Sequence, residues 1–215
     1  MNHSEYIIDP LDRLLNEEEP GEPEPKEEKA PDAGILGKKL EKYFFDRRIV
    51  TLWSPVDDRS TRDIVTRMLL LDADKPGEEI QFYMNSPGGV VTSGMVIYDT
   101  MKMLRSPVST ICMGLAASMA SILLSGGAKG RRFIFPHGEV MIHQPSIGGY
   151  LQGVSVDLEI QAKQTKRVKE IGARILAENC GKKVEQIMKD FDRDYWMDAK
   201  EAIDYGIVDG ITDKF

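Results

Sequence analysis

Residues 108–124 have the sequence VSTICMGLAASMASILL, and this stretch decides the fold class. Its first part, residues 108–112, is β-branched and apolar and predicts a buried strand. Residues 119–124 predict a short helix that ends at Gly126-Gly127. Ser118 therefore lies at a strand-to-helix turn, where unpaired N–H groups at the helix start point outward and could hold an oxyanion.

The turn alone leaves two interpretations of Ser118 open. The first is a nucleophile, because the small residues around Ser118 clear a space and the helix start offers hydrogen-bond donors. The second is an ordinary helix N-cap, the usual role of a serine in front of a helix. Only a nearby base would favour the first interpretation.

The chain contains three histidines, which narrows the search for a base. His3 lies in the polar N-terminal segment, and His137 lies between a proline and a glycine in a predicted turn. His143 ends the apolar run of residues 140–143 and precedes a loop. An imidazole is suited to exchange a proton with a serine hydroxyl, although a structural histidine bonded in the core is the alternative.

A glycine pair follows the predicted strand of residues 80–84. Residues 82–91 have the sequence FYMNSPGGVV, and a helix is predicted to open at Thr92 or Ser93. Gly88 and Gly89 permit close backbone approach and leave N–H groups for a substrate carbonyl or a bound peptide strand. A simple turn is the alternative.

Four motifs in this order carry a family resemblance: NSPGGVV at 85–91, ICMGLAASMAS at 111–121, VMIHQP at 140–145 followed by GGY at 148–150, and EAIDYGIVD at 201–209. Together they resemble the ClpP family, the proteolytic subunits of ATP-dependent Clp proteases. The resemblance runs from about Phe45 to the C-terminus. It implies a serine endopeptidase that cleaves unfolded polypeptides to short peptides inside a ring-shaped chamber.

The resemblance implies a role for each candidate residue. Ser118 is the nucleophile, His143 the base, and Asp194 the carboxylate that orients the imidazole. The amides of Gly89 and Met119 are the oxyanion donors. The residues alone do not distinguish the third member from the acidic neighbours at 190 and 192. The chain order Ser, His, Asp and the absence of Gly-x-Ser-x-Gly argue against an α/β-hydrolase.

The implied fold is an α/β spiral of strand-strand-helix units, ClpP-like or crotonase-like, with a protruding handle helix. The sequence predicts strands at 49–52, 80–84, 133–135 and 140–143, the last two pairing through Pro136-His137-Gly138. It predicts helices at 60–72, opened by Ser60 with Asp63 as a capping pair, and from 92 or 93 to about 104.

The longest predicted helix spans residues 156–179 and stops at Gly181. Its two ends are apolar and its middle, residues 161–167, is mostly polar. A plain surface helix is the alternative to a projecting one. The resemblance identifies this segment as the handle helix and implies a homo-oligomer of two stacked heptameric rings. It also implies that Arg193 is a ring-contact residue that links assembly to triad alignment.

The net charge of −7 is concentrated in the first 33 residues, which hold eleven acidic and three basic residues and five of the eleven prolines. This composition predicts a disordered tail at 1–33, followed by a peptidase domain at 34–215. The resemblance implies that the tail region contacts the ATPase at the axial pore or is removed as a propeptide. Relative to the family pattern, the loop after His143 is lengthened by two residues, and residues 148–154 predict a strand that pairs with substrate.

Composition and missing motifs exclude other classes. No phosphate-binding Gly-x-x-x-x-Gly-Lys-Ser/Thr motif occurs, so we expect no ATP binding, and the resemblance implies an AAA+ unfoldase partner. We expect no cofactor or metal, no nucleic-acid partner, no membrane span and a cytoplasmic location. Two other functions stay open: a non-catalytic ring subunit, and a crotonase-fold acyl-CoA enzyme. Leu115 and Ser121 replace residues that are usual in the family beside the nucleophile.

Overall fold

The computed structural model describes residues 33–146 and 153–213 of the chain. Within them, seven helices run in the order α1 Ala33–Asp46, α2 Asp58–Asp74, α3 Val91–Met103, α4 Met119–Ser125, α5 Ser155–Cys180, α6 Val184–Asp190 and α7 Ala199–Tyr205. The strands are β1 Ile49–Leu52, β2 Ile80–Ser86, β3 Val108–Ala117, β4 Arg132–Ile134, β5 Glu139–Ile142, β6 Tyr195–Met197 and β7 Gly210–Ile211. The predicted acidic tail and most of the predicted strand at 148–154 lie outside the described residues.

The main sheet is parallel and has the strand order β1-β2-β3-β4-β7. Helices α2, α3 and α4 connect its first four strands, as parallel pairing requires. Strand β3 has ten residues and serves two sets of neighbours. On one edge it pairs with β2 as far as Ala116. On the other edge its first part pairs with β4, and its last part, Leu115–Ala117, pairs in parallel with β5. Strand β6 then pairs antiparallel with β5. This arrangement is the α/β fold that the resemblance implies.

The predicted hairpin between β4 and β5 is wrong. Both strands run parallel to β3, with Cys112 opposite Ile134 and Leu115 opposite Glu139. The segment Pro136-His137-Gly138 therefore moves the chain along β3 without reversing it. A turn-forming sequence between two short apolar runs does not by itself specify that the chain reverses direction. Here both runs pair with the longer strand β3 instead of with each other.

Two predicted helix starts are also wrong by a few residues. Helix α2 is capped by Asp57, whose Oδ1 accepts from Ser60 N at 2.7 Å while Ser60 Oγ accepts from Asp57 N at 3.0 Å. Ser60 is therefore the fourth residue of this capping box, and the helix begins about one turn earlier than predicted. Helix α3 begins at Val91, and the Ser93 hydroxyl donates to Asp58 Oδ1 at 2.6 Å instead of capping its own helix.

Helix α5 is exposed along its first half and buried in its second half. Val156 and Ile160 are 61% and 55% exposed, whereas Ala173 and Leu176 are buried in the core. The helix ends at Gly181 in the left-handed conformation, as predicted. One end of this helix is therefore anchored, and the other presents apolar side chains to solvent.

The C-terminal strand is fastened to the sheet by a largely buried ion pair. Arg132 donates from Nη2 to Asp209 Oδ1 at 2.6 Å and from Nε to Oδ2 at 2.9 Å. Burial alone would raise the pKa of Asp209, but the bonds from Arg132 outweigh it and hold that pKa below its ordinary value. Among the helices that the structure describes, none has the length and apolar character needed to cross a bilayer.

Candidate active site

Ser118 lies between the last residue of β3 and the first residue of α4, where the sequence predicted a turn. Its backbone has φ 55° and ψ −122°, an unusual conformation for a residue other than glycine. The Ser118 amide donates to the carbonyl of Met141 at 2.8 Å. The side chain makes no capping hydrogen bond to the helix. Ser118 therefore occupies the N-cap position without capping the helix through its side chain, and the hydroxyl is available to another partner.

That partner is His143, which follows β5. The Ser118 Oγ and His143 Nε2 atoms are 2.8 Å apart. On the other side of the ring, Nδ1 lies 3.0 Å from Asp194 Oδ1. The three side chains that the resemblance assigned to the site thus form one chain of hydrogen bonds, although they are far apart in sequence.

The pairing of β5 with β6 explains how Asp194 reaches His143. Ile142 lies opposite Tyr195 in the antiparallel register, so His143 and Asp194 are the next residues beyond the paired ends. On the far side, Gln144 N donates to the carbonyl of Phe191 at 2.6 Å. His143 and Asp194 therefore lie between two sets of backbone hydrogen bonds. The β5–β6 pairing is on one side of them, and the bond from Gln144 to Phe191 is on the other.

The two neighbouring acids have other partners. Asp190 accepts from the Tyr205 hydroxyl at 2.8 Å, and Asp192 accepts from Gln144 and lies 3.4 Å from Arg193. Asp194 is the acid that contacts the imidazole. The sequence offered no local signal for this choice, because it depends on the register of β6.

The hydrogen-bond partners determine the tautomer of His143. A carboxylate can only accept, so the proton on the ring belongs on Nδ1 and is donated to Asp194. The lone pair of Nε2 then faces the Ser118 hydroxyl and can accept its proton. His143 is about one quarter exposed and Asp194 is 60% exposed, so the site opens to solvent on the carboxylate side.

The glycine pair lies directly against the Ser118 turn. A Cβ placed on Gly88 would be 2.7 Å from Ser118 Cβ and 2.8 Å from Met119 N. The loop is fixed by Val56, which donates from N to Gly88 O at 2.8 Å and accepts from Val90 N at 2.8 Å. No protein acceptor for the amide of Gly89 is found in the described part of the chain. Met119 is the first residue of α4, so its amide also has no intrahelical acceptor.

A small, mostly apolar cavity adjoins Ser118 and His143. Its lining comes from α3, α4, α5 and the segments that follow β5 and α6, and the apolar residues that line it are Val91, Met95, Met119, Ile122, Pro145, Val168 and Phe191. A cavity of this kind, beside a hydroxyl bonded to an imidazole, suits an apolar side chain of a ligand.

Comparison with known proteins agrees with this geometry. Residues 36–215 match the family model described as Clp protease. A curated relative, the ATP-dependent Clp protease proteolytic subunit of Porphyromonas gingivalis (strain ATCC BAA-308 / W83), is 51% identical over 167 residues. That match covers 78% of this chain and 74% of the relative. The chain belongs to the Clp protease family.

Leu115 and Ser121, the two residues beside Ser118 that the sequence analysis expected to depart from the family pattern, both fit this site. The Ser121 hydroxyl is buried and donates to the Ser118 carbonyl at 2.6 Å, adding a bond to the turn that carries Ser118. Leu115 donates from its backbone N to Asn85 Oδ1 at 3.1 Å, a contact that does not involve its side chain. Asn85 thereby ties the end of β2 to β3, a role that the sequence analysis did not anticipate.

Arg193, the predicted ring-contact residue, points away from the body. Its side chain is 86% exposed, and its bonds go to the adjacent Asp192. Among the described residues, its side chain makes no hydrogen bond or ion pair with His143 or Asp194.

Neither cysteine competes as a nucleophile. Cys112 and Cys180 are free thiols, and burial raises their pKa values to about 12 and about 11. They therefore remain protonated near neutral pH. Across residues 33–146 and 153–213, no group of three or more His, Cys, Asp or Glu side chains is arranged to hold a metal ion.

The contacts of Gly88 predict the effect of adding one methyl group. In Gly88→Ala, the new Cβ collides with Ala117 O at 2.6 Å and with Ser118 Cβ at 2.7 Å. Because a displacement of about 1 Å at a reacting centre can cost about 100-fold, we expect peptide hydrolysis to fall by about that factor.

Gly77→Ala is the matched control for Gly88→Ala. Gly77 has φ 85°, close to the 86° of Gly88, but a Cβ there meets nothing within 4 Å. Both variants carry the same backbone strain, and Gly77→Ala should stay near wild-type activity. Equal activity of the two variants in a peptide hydrolysis assay would contradict the proposed crowding of the turn.

Proposed function

We propose that this chain is the proteolytic subunit of a Clp protease, a serine endopeptidase with Ser118, His143 and Asp194 as its triad. The observation that carries the proposal is the continuous chain of hydrogen bonds from Asp194 through His143 to Ser118, at 3.0 and 2.8 Å. The name of the Porphyromonas gingivalis relative supports the same activity.

The proposed reaction is acyl transfer through the serine. His143 Nε2 takes the proton of Ser118 as Oγ attacks the peptide carbonyl carbon. The amides of Gly89 and Met119 donate to the resulting oxyanion, and Asp194 stabilises the imidazolium. The imidazolium then protonates the leaving amine as the peptide bond breaks. Water repeats the sequence on the acyl-enzyme, releasing the carboxylic acid and restoring Ser118.

The two other candidate functions have less support. A non-catalytic ring subunit has no need of three triad side chains held within bonding distance. A crotonase-fold acyl-CoA enzyme could use the Gly88-Gly89 loop, but it has no need of a serine bonded to a histidine. The bond between Ser118 and His143 favours the peptidase in both comparisons.

We further propose that the active form is a homo-oligomer of two stacked heptameric rings. The first half of α5 carries two exposed apolar residues one turn apart on the same face, Val156 and Ile160, an arrangement typical of a surface that another subunit covers. The exposed side chain of Arg193 is available for a contact between subunits. An AAA+ unfoldase would deliver unfolded substrates to the chamber. The cytoplasmic location stays a prediction from the sequence.

Replacing the nucleophile tests the activity directly. In Ser118→Ala, we expect hydrolysis of a short fluorogenic peptide to fall by at least about 10⁴-fold, because no alternative nucleophile is activated. A fluorophosphonate probe should label the wild-type protein and leave Ser118→Ala unlabelled.

Ser54→Ala provides the control, because Ser54 is exposed and its hydroxyl bonds to the adjacent Pro55 carbonyl. It should label and hydrolyse peptide like the wild type. Undiminished hydrolysis by Ser118→Ala would reject the assignment of the nucleophile.

The exposed face of α5 predicts the outcome of a charge substitution. Ile160→Asp should separate the two rings, because a carboxylate would replace an apolar contact. Sedimentation should give about 340 kDa for the wild type, fourteen chains of 24.1 kDa, and about half that mass for the variant.

Ala162→Asp is the control on the same helix. Residue 162 is exposed and lies about 200° around the helix from residue 160. It should retain the wild-type mass. A full-size Ile160→Asp particle, or a wild type far below that mass, would argue against ring stacking through this face.

A further inference from the structure

Lys169 connects α5 to both segments that carry the histidine and the acid of the triad. Its Nζ donates to Gln144 Oε1 at 2.8 Å and lies 3.7 Å from Asp192 Oδ1. The ammonium also lies 5.7 Å from the centroid of the Phe191 ring. The side chain is 21% exposed, so it is held within the fold and is not a free surface lysine.

Lys169, Gln144, Phe191 and Asp192 form a cluster with Gln144 at its centre. The oxygen and the nitrogen of the Gln144 side-chain amide are both hydrogen-bonded. Its carbonyl oxygen accepts from Lys169, and its amide nitrogen donates to the Asp192 carbonyl at 2.7 Å and to Asp192 Oδ1 at 3.2 Å. An ammonium only donates, so Lys169 fixes which end of the Gln144 amide faces it. The other end must then face Asp192. The two Asp192 acceptors favour the same orientation, so Lys169 and Asp192 hold the amide from opposite ends. Without the lysine, the Gln144 oxygen loses its donor and one end of the amide is no longer held.

Three residues of the cluster are close in sequence to His143 or Asp194. Gln144 directly follows His143, and Phe191 and Asp192 precede Asp194 by three and two residues. The bond from Gln144 N to Phe191 O, at 2.6 Å, closes the segment on the side opposite to the β5–β6 pairing. If this hydrogen bond lengthened, the two segments would separate, and the distance between Nδ1 of His143 and the carboxylate of Asp194 would change.

We propose that Lys169 is a positioning residue that holds His143 and Asp194 in register from α5. The proposal rests on the proposed peptidase function of the same site. Lys169 does not touch the reacting atoms. It acts through a hydrogen bond to Gln144 and through the attraction of its ammonium to the Asp192 carboxylate. These contacts join α5 to the segment after β5 and to the segment between α6 and β6. Its neighbour Val168 and Gly172, one turn away, line the cavity beside Ser118, so the same stretch of α5 also shapes the substrate site.

A substitution series separates positioning from a general structural role. Lys169→Met keeps the length and apolar stem of the side chain but removes the ammonium. Lys169→Arg keeps the charge and the donors. Lys200→Met is the control, because Lys200 is an exposed lysine on α7. All are compared as assembled particles of equal sedimentation mass, with kcat and KM measured on a short peptide.

We expect Lys169→Met to lower kcat by about tenfold and to leave KM within about twofold, since the defect lies in triad geometry. Lys169→Arg should keep at least about half of the wild-type kcat, and Lys200→Met should match the wild type. A raised KM with unchanged kcat would overturn the proposal, as would full activity of Lys169→Met.

A double-mutant cycle with Asp194→Asn provides the second readout. If Lys169 acts by holding Asp194 against His143, then Lys169→Met should cost less than about threefold in the Asp194→Asn background. A tenfold loss in both backgrounds would show a structural role unrelated to the pair and would reject the proposal. An inactive wild type with intact mass would instead count against the proposed function itself, so the two failures are distinguishable.

Discussion

The parallel pairing of β5 with the end of β3 is the constraint on which the candidate site depends. Ala117 lies opposite Met141, and the next residue, Ser118, donates its amide to the Met141 carbonyl. This register sets the Ser118 turn and the end of β5 side by side. A shift of one residue would turn the His143 side chain to the other face of the strand and break its bond with the serine. The length of β3 makes this possible, because β4 pairs only with residues 110–112 and leaves the last part of that edge to β5.

Strain and close approach are concentrated where that register ends. Ser118 has a positive φ, and Gly88 touches the same turn with no space for a side chain. Such conformations persist only when surrounding contacts over-determine them. The contacts here are specific: Val56 pairs with the Gly88 loop, Ser121 bonds the Ser118 carbonyl, and Met141 accepts from the Ser118 amide. In the part of the chain that the structure describes, the amides of Gly89 and Met119 beside this turn have no acceptor, and they are the donors that we propose for an oxyanion.

The sequence predicted the parts of the site that have local signals. The apolar run before Ser118 and the short apolar helix after it predicted a strand-to-helix turn, and the structure has one there. The apolar run 140–143 correctly predicted that a strand delivers His143. Asp194 had no such signal, because only the β6 register separates it from Asp190 and Asp192. The pairing of β4 and β5 was also mispredicted, since partner choice between short strands depends on tertiary contacts. The start of α2 was predicted about one turn too late, because Asp57 and not Ser60 is its N-cap residue.

The most direct test of the account is the structure of the assembled protein after reaction with a peptide chloromethyl ketone. Ser118 Oγ should add to the ketone carbon, and His143 Nε2 should displace chloride from the methylene, so that one inhibitor bridges both side chains. The former carbonyl oxygen should lie within about 3.2 Å of the amides of Gly89 and Met119. Alkylation of another residue, or an oxygen directed away from both amides, would contradict the proposed catalytic centre.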